Sequence, residues 1–392
     1  MEEAYIVTGL RTAVGKANRG GFKNVRPDDL GAEVVRKLVA SVPELDPTRI
    51  DDLIVGCAVP EAEQGMQVGR MVALMSLPMN VSGITVNRYC GSGLETIAIG
   101  IAKIKAGMAD CIIAGGIESM SMVPTMGHKP ALNYKIANQH PEWYLGMGLT
   151  AEEVAVDYKI SREDMDEYSY HSHQRAIAAI SGGRFKNQIV PIEVEDVYID
   201  DNGRKASKKY IVDTDEGPRG DTSLDALAKL KPVFRQNGTV TAGNSSQTSD
   251  GASFSLLMSE RMVKELGLKP RARLVGYATE GVDPRIMGMG PIKAVPKVLK
   301  QTGLKLSDIE QVELNEAFAA QTLAVMRELG LDHSITNING GAIALGHPLG
   351  CSGCKLTVQL INEMEARKQR YGMVTACVGG GQGVAGIIEV LN

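Results

Sequence analysis

The sequence lacks a charge excess of either sign and lacks any long apolar run. Its 392 residues contain 42 Lys and Arg against 46 Asp and Glu, a formal net charge of −4. This balance argues against broad attraction to nucleic acid or anionic membranes. No apolar run approaches the roughly 18 residues of a membrane span, and the opening MEEAYIVTGLRTAVGK lacks the basic flank and apolar core of a signal peptide. We expect a cytoplasmic protein that binds neither nucleic acid nor membrane.

Cysteine is also sparse, and its distribution argues against a disulfide framework. A long chain without a secretory signal is expected to keep its thiols free. Cys351 and Cys354 form a C-x-x-C, but no second pair stands at zinc spacing, so we predict no metal site. No Gly-Lys-Ser/Thr follows the GGGQG run after Cys377, which argues against a phosphate-binding P-loop. The cysteines are at positions 57, 90, 111, 351, 354 and 377.

The sequence does contain an internal duplication. A helical run after Asp28 is followed by the strand DDLIVGCAV, and a helical run after Pro291 is followed by EQVELNEAF. CGSG at Cys90, a helix and CIIAGG correspond to CSG at Cys351, a helix and TACVGGG. Strands that alternate with helices predict βαβ units and mainly parallel sheets.

The duplication predicts an α/β protein of two similar halves. The first half is expected over residues 1–120 together with 250–270, and the second over 271–392. Residues 121–249 have a different texture, with Met- and Gly-rich segments and a polar helix that begins SREDMDEYSYHSH. We expect this region to be an inserted domain, with His171 and His173 exposed to solvent on its helix.

Cys90 stands at the junction of a strand and a helix. GITVN (83–87) has the composition of a buried strand, and LETIAIGIAKIKAG (94–107) is apolar on nearly all faces and predicts a buried helix. Free N–H groups and the positive dipole end at a helix N-terminus stabilise a thiolate, so we expect the Cys90 pKa to fall below its free value of about 8.5. Cys90 is a candidate nucleophile, although a small buried hydrophobic residue fits the same pattern.

Three more segments carry groups that could act with Cys90. His347, in a glycine-rich loop before Pro348, could take the thiol proton as a base or could be a structural loop histidine. Cys377 precedes glycines whose N–H groups could hold an oxyanion, or it could be core packing. Asn315, at a strand-to-helix switch, could fix a water or a substrate carbonyl or could simply cap the helix. Because Cys90 and His347 occupy nearly equivalent junctions of the two halves, we expect them to lie close together.

Six motifs, in this order and at these separations, resemble those of the thiolases essentially from end to end: NRYCGSG, AGNSSQTSDGA, MGMGP, NEAFAAQ, NGGAIALGHPLGCSG and CVGGGQG. The resemblance implies the thiolase fold, with two βαβαβαββ halves in a five-layered αβαβα arrangement and an inserted loop domain. RTAVGKANRGGFKNVRPDDLG and DEGPRGDTSLDALAKLKPVF look more like degradative 3-ketoacyl-CoA thiolases. Gly146 stands where biosynthetic members often carry a histidine.

The resemblance implies a role for each matching residue. Cys90 matches the acylated nucleophile, His347 the base that activates it, and Cys377 the second acid/base. Asn315 matches the residue that holds a water in one oxyanion hole, which His347 completes, while the N–H groups of Cys90 and Gly379 match the second hole. Four residues match binding positions: Ser246 for the pantetheine arm of coenzyme A, Arg219 near its nucleotide end, and Met147 and Met287 in the pocket lining.

The resemblance implies a ping-pong reaction in fatty acid β-oxidation. A 3-ketoacyl-CoA is cleaved to acetyl-CoA and a shortened acyl-CoA through a cysteine thioester, with coenzyme A as co-substrate and no permanently bound cofactor. A homodimer or homotetramer is implied, and a β-oxidation hydratase/dehydrogenase is a possible partner. The alternatives are a biosynthetic acetyl-CoA acetyltransferase, a non-catalytic acyl-CoA-binding protein, and a cysteine hydrolase that passes the acyl group to water.

Overall fold

Alternating strands and helices make up most of the chain in the computed structural model, which describes residues 2–391. The strands, in chain order, are β1 (Ala4–Thr12), β2 (Gly15–Lys16), β3 (Asp52–Gly56), β4 (Ser82–Val86), β5 (Cys111–Ser119), β6 (Ile189–Val190), β7 (Ile192–Ile199), β8 (Lys205–Val212), β9 (Ser249–Ser259), β10 (Ala272–Gly281), β11 (Gln311–Leu314), β12 (Tyr371–Val378) and β13 (Gln382–Val390). The helices are α1 (Pro27–Ala40), α2 (Val68–Ser76), α3 (Ser92–Lys105), α4 (Tyr134–Gln139), α5 (Met147–Asp157), α6 (Arg162–Ser181), α7 (Leu224–Ala228), α8 (Glu260–Glu265), α9 (Pro291–Thr302), α10 (Ala319–Leu329), α11 (Ala342–Leu345) and α12 (Leu349–Arg367).

The repeated segments of the sequence form two sheets of similar design that join at their edges. In the first, β3 lies parallel to β4 and β5, and β9 runs antiparallel between β5 and β1. In the second, β11 lies parallel to β12, and β13 runs antiparallel between β12 and β10. One pairing, Ile6 with Ala272, links β1 to β10. The counterpart of β4 is reduced to a single parallel bridge between Val312 and Thr336.

Helices cover both faces of each sheet and give five layers. Helices α1 and α2 pack on the outer face of the first sheet, and α9 and α10 belong to the core on the outer face of the second. Helices α3 and α12 contact each other and lie between the sheets, where their apolar side chains form a shared core. The central helix pair therefore brings both repeats to one place.

Strand β4 differs from the prediction of a buried strand over 83–87. It forms the open edge of the first sheet, and Ile84 is 43% exposed. An apolar sequence pattern does not distinguish a central strand, which its own chain covers, from an edge strand whose apolar side chains are exposed.

The region between β5 and β9, two neighbouring strands of the first sheet, consists of helices and a hairpin. Helices α5 and α6 pack against α10, while β7 and β8 pair only with each other in a separate hairpin. Within residues 2–391, no helix is both long enough and apolar enough to span a membrane.

Candidate active site

Cys90 lies in a 3₁₀ turn, Tyr89–Gly91, between β4 and α3. Tyr89 has φ +41°, a left-handed conformation that is unusual for a non-glycine residue, and its N–H donates to Asn87 Oδ1 at 2.8 Å. At Gly91 an added Cβ would lie 2.9 Å from Val384 Cγ1, so the turn packs directly on β13. The turn fixes Cys90 just before the first residue of α3.

The two central helices cross at their N-terminal ends, next to Cys90. An added Cβ at Gly93 would lie 2.6 Å from Cys354 N, and one at Gly353 would lie 2.3 Å from Leu94 N. Only glycine lets the two backbones approach this closely. Because α3 and α12 both begin here, their positive dipole ends meet near the thiol.

Burial governs the acidity of Cys90. The side chain is 1% exposed, and burial raises the pKa of its thiol to about 12, although N–H groups of Gly379 and Cys90 itself act to lower it. The expectation of a lowered Cys90 pKa is therefore wrong, because removal from water outweighs the helix N-terminus. The resting thiol keeps its proton and needs a base to remove it.

His347 is buried in the loop between α11 and α12. Its Nδ1 lies 2.6 Å from the Ser352 hydroxyl, which donates its own proton to the Pro348 carbonyl at 2.9 Å. Ser352 therefore accepts from Nδ1–H, which leaves the lone pair on Nε2. Burial, followed by the positive charge of Lys355, lowers the pKa of His347 to about 3. The imidazole is neutral and can accept a proton at Nε2.

Asn315 follows β11 directly and lies beside His347. Its Nδ2 is 3.2 Å from His347 Nε2, and its backbone N–H donates to Thr375 O at 2.9 Å. The side chain is 1% exposed and does not cap α10, which begins at Ala319. Its amide can polarise an oxygen placed near His347.

Cys377 lies near the end of β12 and belongs to an apolar cluster. Burial raises the pKa of this thiol, and the nearby Cys90 raises it further. The cluster brings together both predicted methionines and an aromatic ring; its members are Ala151, Val240, Met287, Ala317, Phe318 and Cys377, with Met147 packed against them. One of the two thiols therefore faces the side chains suited to an acyl chain.

Gly379 is the first residue of the turn that joins β12 to β13. Its backbone N–H acts to lower the pKa of the Cys90 thiol, against the larger effect of burial. The following Gly380 and Gly381 have φ of +78° and +79°, which allows this tight reversal. The turn therefore brings a backbone donor close to the Cys90 thiol.

The two residues expected to contact coenzyme A lie in neighbouring loops. Ser246 is half-buried and its N–H donates to Ala317 O at 2.9 Å, whereas the Arg219 side chain is exposed and pairs with Asp221 at 3.1 Å. Gln247 Nε2 links the loops by donating to Gly217 O at 2.9 Å. The loops that carry these two residues therefore hydrogen-bond to each other.

His173 differs from the expectation of an exposed residue. Its side chain is 4% exposed and its Nδ1 accepts a hydrogen bond from Arg219 N at 3.2 Å. His171 is half-exposed, as expected for the polar face of α6. The two histidines lie on different faces of α6 because residues two positions apart in a helix are separated by about 200° around its axis.

Sequence models of two thiolase domains together span nearly the whole chain. The one described as "Thiolase, N-terminal domain" matches residues 4–261, and "Thiolase, C-terminal domain" matches residues 268–390. The chain belongs to the thiolase family. This confirms the family predicted from the six motifs.

Full-length relatives and a solved structure agree with this assignment. A Bacillus subtilis (strain 168) protein named 3-ketoacyl-CoA thiolase is 51% identical over 391 residues, covering 100% of both chains. A Psychrobacter sp. protein of the same name is 45% identical over 99% of this chain and 98% of its own. The crystal structure of the Bacillus anthracis acetyl-CoA acetyltransferase superposes with a TM-score of 0.90 at 38% identity, covering 100% of this chain and 99% of that one. The predicted thiolase fold is confirmed.

Two buried carboxylates of this thiolase were missed in the sequence. Glu118, on β5, accepts hydrogen bonds from Ala58 N and Gly350 N at 2.8 Å and from Gln64 Nε2 at 2.7 Å. It therefore ties the start of α12 to the loop after β3. The signal available was a charged residue inside the otherwise apolar strand CIIAGGIES.

The second missed carboxylate is Glu316, the neighbour of Asn315. It accepts from Tyr168 OH at 2.9 Å, Ser172 Oγ at 2.8 Å and Asn337 Nδ2 at 2.9 Å, and also from a backbone N–H on α11. These bonds join α6 to the segment that leads to His347. Through these hydrogen bonds, Glu316 stabilises the segment that carries Asn315.

Proposed function

We propose that this thiolase cleaves 3-ketoacyl-CoA to acetyl-CoA and a shortened acyl-CoA in fatty acid β-oxidation. The observations that carry the proposal are the pairing of a neutral His347 with Asn315 and the closeness of two buried thiols, Cys90 and Cys377. The names of the Bacillus subtilis and Psychrobacter relatives support the degradative substrate.

The first half-reaction forms a thioester on Cys90. His347 Nε2 takes the Cys90 proton as the sulfur attacks the 3-keto carbon. The oxyanion that develops is stabilised either by backbone N–H groups or by the Asn315 side chain. The C2–C3 bond then breaks, its electron pair forms the enolate of acetyl-CoA, and Cys377 protonates C2. Acetyl-CoA leaves and the acyl chain remains on Cys90.

The second half-reaction transfers that chain to coenzyme A. The thiolate form of Cys377 takes the proton of the coenzyme A thiol, whose sulfur attacks the acyl carbon of the thioester. A second tetrahedral oxyanion forms and collapses, the Cys90 sulfur leaves, and His347 returns its proton. Coenzyme A is thus a co-substrate, and Ser246 and Arg219 are the residues that we propose to contact its pantetheine arm and nucleotide end.

The acyl chain is proposed to lie against Met147 and Met287. Gly146, just before α5, is exposed, and an added Cβ there would meet no atom within 4 Å, so the backbone next to Met147 is open to solvent. We propose that the absence of a side chain at this position admits chains longer than four carbons. The alternative is a biosynthetic acetyl-CoA acetyltransferase, which is the name of the Bacillus anthracis relative.

Thiolysis of 3-ketoacyl-CoA substrates of increasing chain length tests the function, with acetyl-CoA condensation measured in parallel. We expect turnover with coenzyme A for chains above four carbons and no turnover by Cys90→Ala. Cys57→Ala is the matched control, because Cys57 is also a buried thiol but lies outside the Cys90 turn. A strict four-carbon preference would favour the biosynthetic alternative, and release of free acid would favour a hydrolase.

We propose that the open edge of the first sheet is the surface of a homodimer or of a dimer within a homotetramer. Strand β4 has a free edge, which invites pairing with another strand. The neighbouring helix α2 exposes further apolar side chains on the same side of the sheet; those exposed on the two elements are Met71, Leu74, Met75 and Ile84. A second copy would cover both. Association with a hydratase/dehydrogenase stays a prediction.

The cytoplasmic location and the domain boundaries also stay proposals. The location is supported by six cysteines that are all free and buried, as is usual in a reducing compartment. The inclusion of 250–270 with 1–120 is supported by β9, which pairs with β1 and β5. Residues 121–249 and 271–392 are the other two proposed units.

A further inference from the structure

Glu118 is a buried carboxylate that joins the two repeats and takes no part in the acyl-transfer scheme. It lies on β5 of the first repeat and is 1% exposed. Its Oε2 accepts hydrogen bonds at 2.8 Å from Gly350 N, in the first turn of α12, and from Ala58 N, in the loop after β3. Burying a carboxylate is costly, so its position between these two segments calls for an explanation.

The α12 end of this contact is the turn that orients His347. The first N–H groups of a helix have no partner within the helix, and Glu118 accepts one of them from a separate strand. Ser352 lies in the same turn, and its hydroxyl accepts from His347 Nδ1 at 2.6 Å. The Glu118 contact therefore fixes the turn that keeps the lone pair of His347 on Nε2.

The Ala58 end leads by two further hydrogen bonds to the Cys90 turn. Asn87 Nδ2 donates to Ala58 O at 3.0 Å, and Asn87 Oδ1 accepts from Tyr89 N at 2.8 Å. The left-handed φ of +41° at Tyr89 is a conformation that persists only where the surrounding contacts impose it. The side chains of Ala58, Cys90 and Leu349 also form one small apolar cluster. Packing and hydrogen bonds thus join the Cys90 turn, the loop after β3 and the start of α12.

We propose that Asn87 and Glu118 are positioning residues of the reaction: through Ala58 they fix the separation between Cys90 Sγ and His347 Nε2. When the thioester forms, the Sγ–H bond breaks, the proton passes to Nε2, and the electron pair left on sulfur attacks the 3-keto carbon. A misplacement of reacting atoms by about 1 Å can cost about 10²-fold in rate. The inference rests on the proposed thiolase function, in which Cys90 is the nucleophile and His347 its base.

The test is steady-state thiolysis by the purified full-length protein and by variants of Asn87. Asn87→Ala removes both hydrogen bonds, and Asn87→Asp keeps an acceptor for Tyr89 N but cannot donate to Ala58 O. We expect kcat to fall about tenfold in both, with KM within a few-fold of the wild-type value. Asn80→Ala is the matched control and should keep the wild-type kcat, because Asn80 is also exposed, lies just before β4 and donates to Thr48 O at 2.9 Å.

A double-variant cycle with Glu118→Ala tests whether the two residues act as one chain. Each single substitution interrupts the same path. The loss of kcat in the protein that carries both Asn87→Ala and Glu118→Ala should therefore not exceed the larger single loss, whereas independent residues would multiply their losses.

The outcomes separate this inference from the function itself. Wild-type kcat in a folded Asn87→Ala or Asn87→Asp, or losses that multiply in the double variant, would overturn the inference. An equal loss in Asn80→Ala would also overturn it, because a general disturbance of the β4 edge would then explain the effect. If Glu118→Ala does not fold, the variants of the exposed Asn87 decide the matter. Wild-type protein without thiolysis would instead refute the proposed function.

Discussion

The proton of Cys90 has to leave a thiol that is removed from water. With a pKa of about 12, forming the free thiolate at pH 7 would cost about 7 kcal/mol. This cost is the reason that the geometry of His347 matters: its Nε2 lone pair is available only while Ser352 holds the proton on Nδ1. We therefore expect the proposed reaction to depend on the Ser352 hydroxyl, which holds His347 in this tautomer.

Replacing Ser352 by Ala should reduce kcat by about 10²-fold while leaving KM within a few-fold, because the wrong tautomer of His347 cannot accept the proton. Steady-state thiolysis kinetics measure this. Thr357→Ala is the matched control, since Thr357 Oγ1 makes a similar bond to Gly353 O at 2.9 Å on the same helix. Equal losses in both variants would contradict the tautomer role.

The residues of the candidate site could be predicted from the sequence, but their ionisation states could not. The duplication predicted that Cys90 and His347 occupy corresponding junctions, and the six motifs predicted their roles. The pKa of Cys90 was predicted in the wrong direction because burial depends on packing from α12, β12 and β13, which are far away in the chain. Glu118 and Glu316 were missed for the same reason: their hydrogen-bond partners are set by the tertiary structure.

At the scale of elements, the close crossing of α3 and α12 positions the site. Gly353→Ala should lower the melting temperature and weaken thiolysis, since its Cβ would lie 2.3 Å from Leu94 N; overpacking of this kind costs about 1–3 kcal/mol. Gly146→Ala, whose added Cβ meets no atom within 4 Å, should be tolerated. Thermal unfolding and activity of both variants are the measurements. Unchanged stability in Gly353→Ala would show that the helices can separate without cost.

The loop after β8 is held to β1 by a buried ion pair. Asp215→Asn should destabilise the protein by about 3–5 kcal/mol at pH 7, because it leaves Arg11 buried without its partner. Arg11 holds the pKa of Asp215 below its ordinary value despite burial. A lowered folded-state pKa stabilises the protein above the unfolded value of about 3.9, and this is lost as pH falls through the folded value.

Denaturant unfolding from pH 7 down to pH 3 tests both parts of this prediction. The difference between wild type and Asp215→Asn should shrink at the acidic end. Asp221→Asn is the control, because its partner Arg219 is 60% exposed at the side chain and such pairs contribute about 1 kcal/mol or less. A constant difference across the pH range would contradict the linkage.

The alternation of strands and helices was predictable from the sequence because α3, β5, α12 and β12 have strong apolar patterns. The position of β4 was not, since an apolar strand can be covered by its own chain or by another. The direct link between β1 and β10 was also beyond the sequence, because a single pairing at Ile6 leaves no periodic signal.

At the scale of the whole molecule, the open edge at β4 predicts self-association. Ile84→Lys should convert the assembly to monomers, or weaken it by at least tenfold in Kd, because a charge would be buried between the edges. Ile211→Lys, on the separate β7–β8 hairpin, is the control, with 64% exposure at the starting residue. Sedimentation velocity over a concentration series measures both. An unchanged assembly in Ile84→Lys would place the interface elsewhere.

The molecule as a whole is proposed to hold an acyl chain on one repeat while the other repeat supplies the base. The most direct measurement of this claim is mass spectrometry of the digested protein after incubation with a 3-ketoacyl-CoA and no free coenzyme A. We predict an acyl group on the peptide that contains Cys90, released as acyl-CoA when coenzyme A is added. Turnover with Cys90 unmodified, or an acyl group on another residue that is equally competent for transfer, would contradict the account.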